Sequence, residues 1–264
     1  MKKDRSARIM ELLENNIVCT PAELALQLSC SEMTIRRDLA ALEMMNLVHR
    51  KHGCAYLTQH SLPSRFQTQL DEQRYEKEAI AKAAVRFFVR QHMIISLDTG
   101  TTTHAMARFF SENMQLSVIT PNLYTALELS DMENIQTYLL GGIVYAKSKS
   151  VIIDTEPADY ARNSDVAFIS TRAFRIPGGA FEHTYPLVET KRRLVTNAKK
   201  TILLFDHTKC SHNSLCNSVP LNKIHGLITD NKTPEDLIEK AVNLKKEVIV
   251  VDPETQNVVY HFRG

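Results

Sequence analysis

No apolar run in this chain of 264 residues approaches the ~18 that a membrane-spanning helix needs. No apolar N-terminal segment resembles a signal peptide either, so a cytoplasmic protein is expected. Charge of one sign is scarce. The 32 basic and 30 acidic side chains leave a formal net charge of +2, which argues against a polybasic tail or a membrane-surface protein. The five cysteines, at positions 19, 30, 54, 210 and 216, are odd in number and lack a framework spacing; a reducing compartment accounts for them. Internal repeats and low-complexity segments are absent. At 44% hydrophobic, however, the chain can bury a substantial core, and its length allows one or two domains.

The most informative stretch runs from Thr20 to Gly53. Thr20 precedes Pro21, and Glu23 follows three residues after the threonine: an N-cap, a first-turn proline and a capping-box acid. Leu24 and Leu28, with Ile9, Leu12 and Leu13 before them, recur at helical spacing. The helix stops at Ser29-Cys30, and Ser31 caps the next one. There Ile35, Leu39 and Leu42 face a core. Stepping ~100° per residue puts Met33, Arg37 and Ala40 opposite, with Thr34 and Arg36 on the flanks. A recognition helix reads bases with its first turns, and Arg there binds a guanine edge or clamps a phosphate. Leu47 to Gly53 predicts a strand and turn with Ala55-Tyr56-Leu57 returning, a wing that offers Arg50, Lys51 and His52 to the DNA backbone. The bland alternative is solvated surface charge on a small helical domain. Residues 1–57 hold eight Lys/Arg and seven Asp/Glu, no strong basic excess. Agreement of caps, spacing, wing and position favours double-stranded DNA as a partner.

A boundary is expected after the wing. Residues 58–74 are polar, contain Pro63 and read as a linker between a 1–57 head and a 75–264 body. In the body, a helix over 78–89 is followed by near-continuous apolar strands alternating with helices: strands at 93–97, 116–119, 135–140, 166–170, 201–205, 226–228 and 247–251, with an edge hairpin at 258–262. That pattern predicts a largely parallel sheet covered on both faces. Ligands of such sheets bind beyond the carboxyl ends of the strands. Asp98, Thr99, Gly100, Thr101 and Thr102 sit at such an end and open a helix, offering close backbone approach, hydroxyls and amides to a phosphate. An ordinary strand-to-helix turn with threonine caps is the competing reading. Lys209, after another strand, offers a point charge to the same anion site, with Asp206 either orienting it or capping the loop. Two further readings stay open. Asp98, Glu182, His183, Glu189 and Asp206 offer acid–base groups to an isomerase or deaminase. His207, Cys210, His212 and Cys216 are possible zinc ligands of a metal-responsive regulator, although H-x2-C-x-H-x3-C is not a standard spacing and no metal is expected.

Thr34-Ile35-Arg36-Arg37-Asp38-Leu39, Leu42-Glu43 and Arg50-Lys51-His52-Gly53-Cys54-Ala55 resemble the N-terminal signature of the DeoR family of bacterial transcription regulators, with Cys54 where the family usually has a second glycine. The resemblance continues through Asp98 to Thr102, Thr120-Pro121-Asn122, Gly141-Gly142, Asp206 to Lys209 and Ile228-Thr229-Asp230. It implies an α/β protein: a small N-terminal winged helix-turn-helix domain followed by a largely parallel α/β sensor domain, similar in fold to ribose-5-phosphate isomerase and glucosamine-phosphate deaminase. It implies a regulator of carbohydrate genes, more often a repressor. Such a protein responds to a phosphorylated sugar or related metabolite and acts as a dimer or tetramer, without catalysis or cofactor. Lys191 matches the family's helix lysine. Several positions depart. Ser170-Thr171-Arg172-Ala173-Phe174 replaces a glycine-rich segment and brings Arg172 to the pocket. Asp154 replaces a glycine, and Leu187 replaces an acid, leaving Glu189 as the nearest carboxylate.

Overall fold

The computed structural model describes residues 2–16, 19–45, 47–51, 53–57, 65–146, 148–152 and 163–264. It divides into two compact units, Met1–Ser64 and Arg65–Gly264.

The first unit is three helices and a hairpin: α1 (Lys2–Asn16), α2 (Pro21–Gln27), α3 (Glu32–Met44), β1 (Val48–Lys51) and β2 (Cys54–Leu57). The capping box forms as the sequence requires. The Thr20 amide donates to Glu23 Oε2 at 2.7 Å, and the Glu23 amide to Thr20 Oγ1 at 3.2 Å. Ser29 turns the chain at φ 50°, and Ser31 then caps α3 by accepting from the Thr34 amide. Ile9, Leu13, Leu24, Ile35, Leu39, Leu42, Val48 and Ala55 form the core. The hairpin pairs Val48 with Leu57 through Lys51 with Cys54, and Gly53 takes φ +80° at its turn. Cys54 therefore needs no left-handed backbone: it opens β2, and the single glycine suffices.

The second unit contains α4 (Arg65–Asp71), α5 (Arg74–Phe88), β3 (Ile94–Leu97), α6 (Thr101–His104), β4 (Leu116–Thr120), α7 (Leu123–Ser130), β5 (Ile135–Leu139), β6 (Ile143–Tyr145), β7 (Ser150–Ile152), β8 (Ser164–Ile169), β9 (Ala173–Arg175), β10 (Gly179–Glu182), α8 (Tyr185–Thr196), β11 (Ala198–Leu204), β12 (Cys216–Pro220), β13 (Gly226–Asp230), α9 (Glu235–Asn243), β14 (Glu247–Asp252) and β15 (Asn257–Phe262). Eight strands form one sheet in the order β15-β14-β13-β11-β8-β3-β4-β5, parallel except for β15 at its edge. Alternate residues of β11 show why its apolar run is continuous. Ile202 and Leu204 enter one core cluster with α5, while Leu203 and Phe205 enter another with α9. From β3 the chain steps outward to β4 and β5, then returns to the other side of β3 at β8 and continues through β11, β13 and β14. The β3–β8 seam is thus the switch point of the sheet, where a crevice opens beyond the strand ends.

Three features differ from the sequence expectation. Part of the expected 58–74 linker is helical: α4 buries Phe66, which stacks on Tyr124 and meets His104 edge-on. A buried aromatic side chain helps to dock seven residues whose composition is otherwise polar; residues 58–64 lie outside the described residues. A small antiparallel sheet, β12-β10-β9, and the β6–β7 hairpin are also additional. Their strands of three to five residues are too short to establish a period of two.

Candidate DNA-reading face and effector cleft

On α3 the buried stripe of Ile35, Leu39 and Leu42 leaves the opposite face to solvent. Met33 is 76% exposed, and the exposed Arg37 has no hydrogen bond or ion pair among the described residues. Arg36 pairs with Glu32 at 3.2 Å, both of them open to water. Thr34 has its hydroxyl 2.9 Å from Ser31 Oγ, inside the cap. Arg50 is bound to α3: its amide donates to Glu43 Oε1 at 3.0 Å and its Nε to Glu43 Oε2 at 2.7 Å. Arg50 holds Glu43 below the ordinary carboxylate range through these bonds. Arg50 therefore pins the hairpin to the recognition helix, and the Leu-Glu motif acquires a mechanical role. Lys51 ends β1; His52 lies outside the described residues. Asp38 is buried and paired with Arg5 at 2.5 Å, tying α1 to α3. Its position three residues after Ile35 and four before Leu42, on the apolar stripe, is the sequence signal for that ion pair.

In the second unit a cleft with a cavity volume of about 120 Å3 opens at the β3–β8 switch point. Thr99, Gly100, Thr101, Thr102, Arg172 and Lys209, all expected at a ligand site, line it. Gly100 is required there: a Cβ would lie 1.8 Å from Ser170 Oγ. Helix α6 is only four residues and runs into a 3-10 turn, Ala105–Phe109, so the helix end contributes less than the sequence suggested; what this loop offers is the threonine hydroxyls. Asn122 fixes the loop, its side-chain amide donating to the Thr99 carbonyl at 3.0 Å while its own oxygen caps α7.

Asp98 and Lys191, expected to face a ligand, turn inward. Neither lines the cleft, and both are almost fully buried. Asp98 Oδ1 accepts from the Gly100 amide at 2.8 Å and the Thr103 hydroxyl at 3.0 Å, and Oδ2 from the Ser170 amide at 2.9 Å. Lys191 Nζ sits 3.1 Å from Asp98, 2.5 Å from Glu182 and 2.5 Å from the Ser170 carbonyl. Burial alone would push this ammonium down; the two carboxylates hold it above the ordinary lysine range. With three acceptors for three N–H donors, Lys191 is a clasp between β3, β8, β10 and α8. Asp206 is buried, caps the following turn through the Thr208 amide and lies 3.4 Å from Lys209 Nζ, so it orients that lysine.

The sequence reading missed Lys77. It is 5% exposed, lines the cleft and donates to the carbonyls of Gln69 and Glu72. Burial lowers its pKa to about 8, opposed by Asp206 and reinforced by Lys209, which places all three in one electrostatic neighbourhood. A signal existed: Lys77 falls on the apolar stripe of α5 with Ile80, Ala81 and Ala84, where a cation needs buried partners.

The other two readings do not assemble. Glu182 and Asp98 are both engaged by Lys191, Glu189 pairs with Arg192, and His183 bonds Ser214. Among the described residues no three of His, Cys, Asp or Glu are grouped to hold a metal. His207 is bound to Asp230, and burial pushes the Cys210 thiol up to about 12, so it rests as a neutral, unreactive thiol. Asp154 lies outside the described residues.

A capped helix pair with a wing, joined in one chain to a parallel α/β unit with a cation-lined cleft at its switch point, defines a winged-helix regulator with a sensor. The model of the DeoR-like helix-turn-helix domain matches residues 5–60, and that of the DeoR C-terminal sensor domain matches residues 72–231. The chain belongs to the DeoR family of transcription regulators. It is 35% identical to the HTH-type transcriptional regulator GolR of Listeria innocua over 240 residues, 90% of this chain and 94% of that protein. It is 28% identical to the glycerol-3-phosphate regulon repressor of Escherichia coli over 88% of this chain and 92% of that one. Among solved structures, ribose 5-phosphate isomerase A of Neisseria gonorrhoeae matches at a TM-score of 0.39 and 12% identity, covering 52% of this chain and 53% of that one. Among the described residues no helix is long and apolar enough to cross a membrane.

Proposed function

We propose that this regulator is a repressor of carbohydrate-metabolism genes whose operator affinity is set by a phosphorylated sugar or related metabolite. The head, residues 1–57, reads operator DNA with Met33, Arg36 and Arg37 and grips the backbone with the wing. Residues 75–264 sense the metabolite and form the homo-oligomer, a dimer or larger, that two half-sites call for. The segment 58–74, helical in part, joins them. The observation that carries the sensor reading is the placement of Lys77 and Lys209 in one electrostatic neighbourhood, on the wall of a cleft that also presents Thr101 and Thr102. Two cations and two hydroxyls suit a phosphate dianion better than any neutral ligand. Asp98 and Lys191 shape the wall without touching the ligand. No turnover is proposed, because the carboxylates a catalyst would use are engaged: Asp98 and Glu182 in the clasp, Glu189 with Arg192 and Asp206 with Lys209. The likeness to the glycerol-3-phosphate regulon repressor of Escherichia coli supports the ligand class.

The test is thermal unfolding of the whole protein, and operator binding, across a panel of sugar and polyol phosphates. An effector at a hundred times its dissociation constant raises stability by about 2.7 kcal/mol. Lys209→Ala is expected to lose most of that shift while the unliganded protein stays folded. The compound that stabilises must also change operator affinity, since an effector acts only through unequal affinity for the two states. A panel that neither stabilises the protein nor changes operator binding removes the phosphorylated-effector reading.

A further inference from the structure

One cation in the cleft has no task in phosphate binding. Four cationic side chains stand at or behind the cleft wall. Lys191 is neutralised by Asp98 and Glu182, and Lys209 has Asp206 at 3.4 Å. Among the described residues neither Lys77 nor Arg172 has a carboxylate partner. Lys77 lies in the field of Asp206 and Lys209 and belongs with the phosphate. Arg172 stands on another element, the turn between β8 and β9, where its amide donates to the Phe181 carbonyl at 3.1 Å. Its guanidinium makes no hydrogen bond or ion pair among the described residues, and its Nε is buried without an acceptor. Lys77 can relieve its burial by losing a proton, as its lowered pKa shows; a guanidinium cannot. An unanswered buried N–H of a permanent cation is unfavourable until an acceptor arrives. Arg172 lines the cleft, so a ligand there can bring an acceptor to the terminal nitrogens of the same guanidinium and answer its charge.

We propose that the effector carries two acidic groups: a phosphate held by Lys77, Lys209 and the Thr101 and Thr102 hydroxyls, and a carboxylate held by Arg172. The ligand class is a phosphorylated sugar acid rather than a sugar phosphate with a neutral far end. This rests on the phosphorylated-effector reading above and adds the second group. A carboxylate fits better than a second phosphate on charge: one guanidinium balances one negative charge, and Lys191 is already claimed by two carboxylates. It also fits on shape, because the guanidinium fork and a carboxylate meet through two parallel hydrogen bonds.

Titration calorimetry on the full chain with matched pairs tests this: erythrose 4-phosphate against 4-phosphoerythronate, ribose 5-phosphate against 5-phosphoribonate, and glucose 6-phosphate against 6-phosphogluconate. At least one acid is expected to bind about 10- to 100-fold more tightly than its aldose partner, the usual worth of a charge-assisted hydrogen-bonded pair. Arg172→Gln should bring that ratio close to one, Arg172→Lys should restore part of it, and Lys209→Ala should weaken both members of the pair alike. Thermal midpoints of the unliganded variants confirm that they fold. Ratios near one for all three pairs in the unaltered protein, or a preference that survives Arg172→Gln, overturn the inference and leave the phosphate reading standing. Fructose 1,6-bisphosphate binding more tightly than every acid would assign the second group as phosphate and overturn it too. If none of these compounds binds, the sugar-acid inference falls, and the wider panel of sugar and polyol phosphates decides the phosphorylated-effector reading.

Discussion

The head and the sensor unit use charge in opposite ways. In the head, α3 turns its core residues inward and leaves Arg36 and Arg37 in water, where a long flexible cation costs nothing to hold and is free to meet a phosphate or a guanine edge. The pair between Arg5 and the buried Asp38 is structural. In the sensor unit the charges that matter are inside: Asp98, Lys191 and Asp206 are each at most 2% exposed, and Lys77 is 5% exposed. An exposed cation can be removed without disturbing the fold. A fully buried one leaves its partners uncompensated, so function and stability are separable in the first unit and entangled at the buried charges behind the cleft wall of the second.

Removing the clasp should give the largest effect. Lys191→Met leaves Asp98 and Glu182 buried without their cation and should destabilise the sensor unit by about 3–5 kcal/mol. Urea unfolding followed by tyrosine fluorescence isolates that unit, because seven of the eight tyrosines lie beyond residue 64. A midpoint unchanged from the unaltered protein would mean the charges are not entangled with the fold, and the contrast would break.

Acid should separate the two units next. His104 is buried, with Nδ1 3.0 Å from Thr125 Oγ1 and Nε2 3.1 Å from Glu128, and burial, helped by Arg108, lowers its pKa to about 4. The folded state thus holds this imidazole neutral while the unfolded chain protonates it near 6.5. The resulting stability is present above the unfolded value and is lost as pH falls from there towards 4, on the order of 3 kcal/mol in all. His104→Gln should flatten the acid slope of that same tyrosine-monitored transition over pH 4–6.5. An identical slope in the variant would place the acid sensitivity on other groups.

The head gives the smallest expected change in free energy and the cleanest one. Arg37→Ala should weaken operator binding by about 1–3 kcal/mol if it contacts a base edge. The thermal midpoint should not move, since Arg37 makes no contact with the core. Full-strength operator binding by the double variant Arg36→Ala, Arg37→Ala would remove the recognition-helix assignment. A lowered midpoint would show that the exposed charges of the head support its fold after all.

Legibility in the sequence follows the same division. The head could be read because its information is local. A cap acts three residues from the group it satisfies, a helix face repeats every three or four residues, and Gly53 sits in the turn it permits. In the sensor unit β3, β4, β8, β11 and β14 were legible for a related reason: a strand buried on both faces is a continuous apolar run. Helix α4 was not, since a buried phenylalanine and the Lys77 ammonium on its Gln69 carbonyl hold it, and neither makes a periodic pattern. The threonine loop was found as a strand-to-helix turn, but the sequence could not say which of its neighbours face out.

The sequence by itself therefore determined the element order, the recognition face, the parallel sheet and the loop at its edge, because caps, periodicity and apolar runs act over a few residues. Only the tertiary structure decided that Asp98, Glu182 and Lys191 close on one another, that Lys77 shares the field of Lys209 and Asp206, and that the Arg172 guanidinium has no partner among the described residues. Those relations join residues up to 132 positions apart, as between Lys77 and Lys209. Whether a buried charge is answered or left open depends on which strand ends the fold brings together, and no local pattern carries that information.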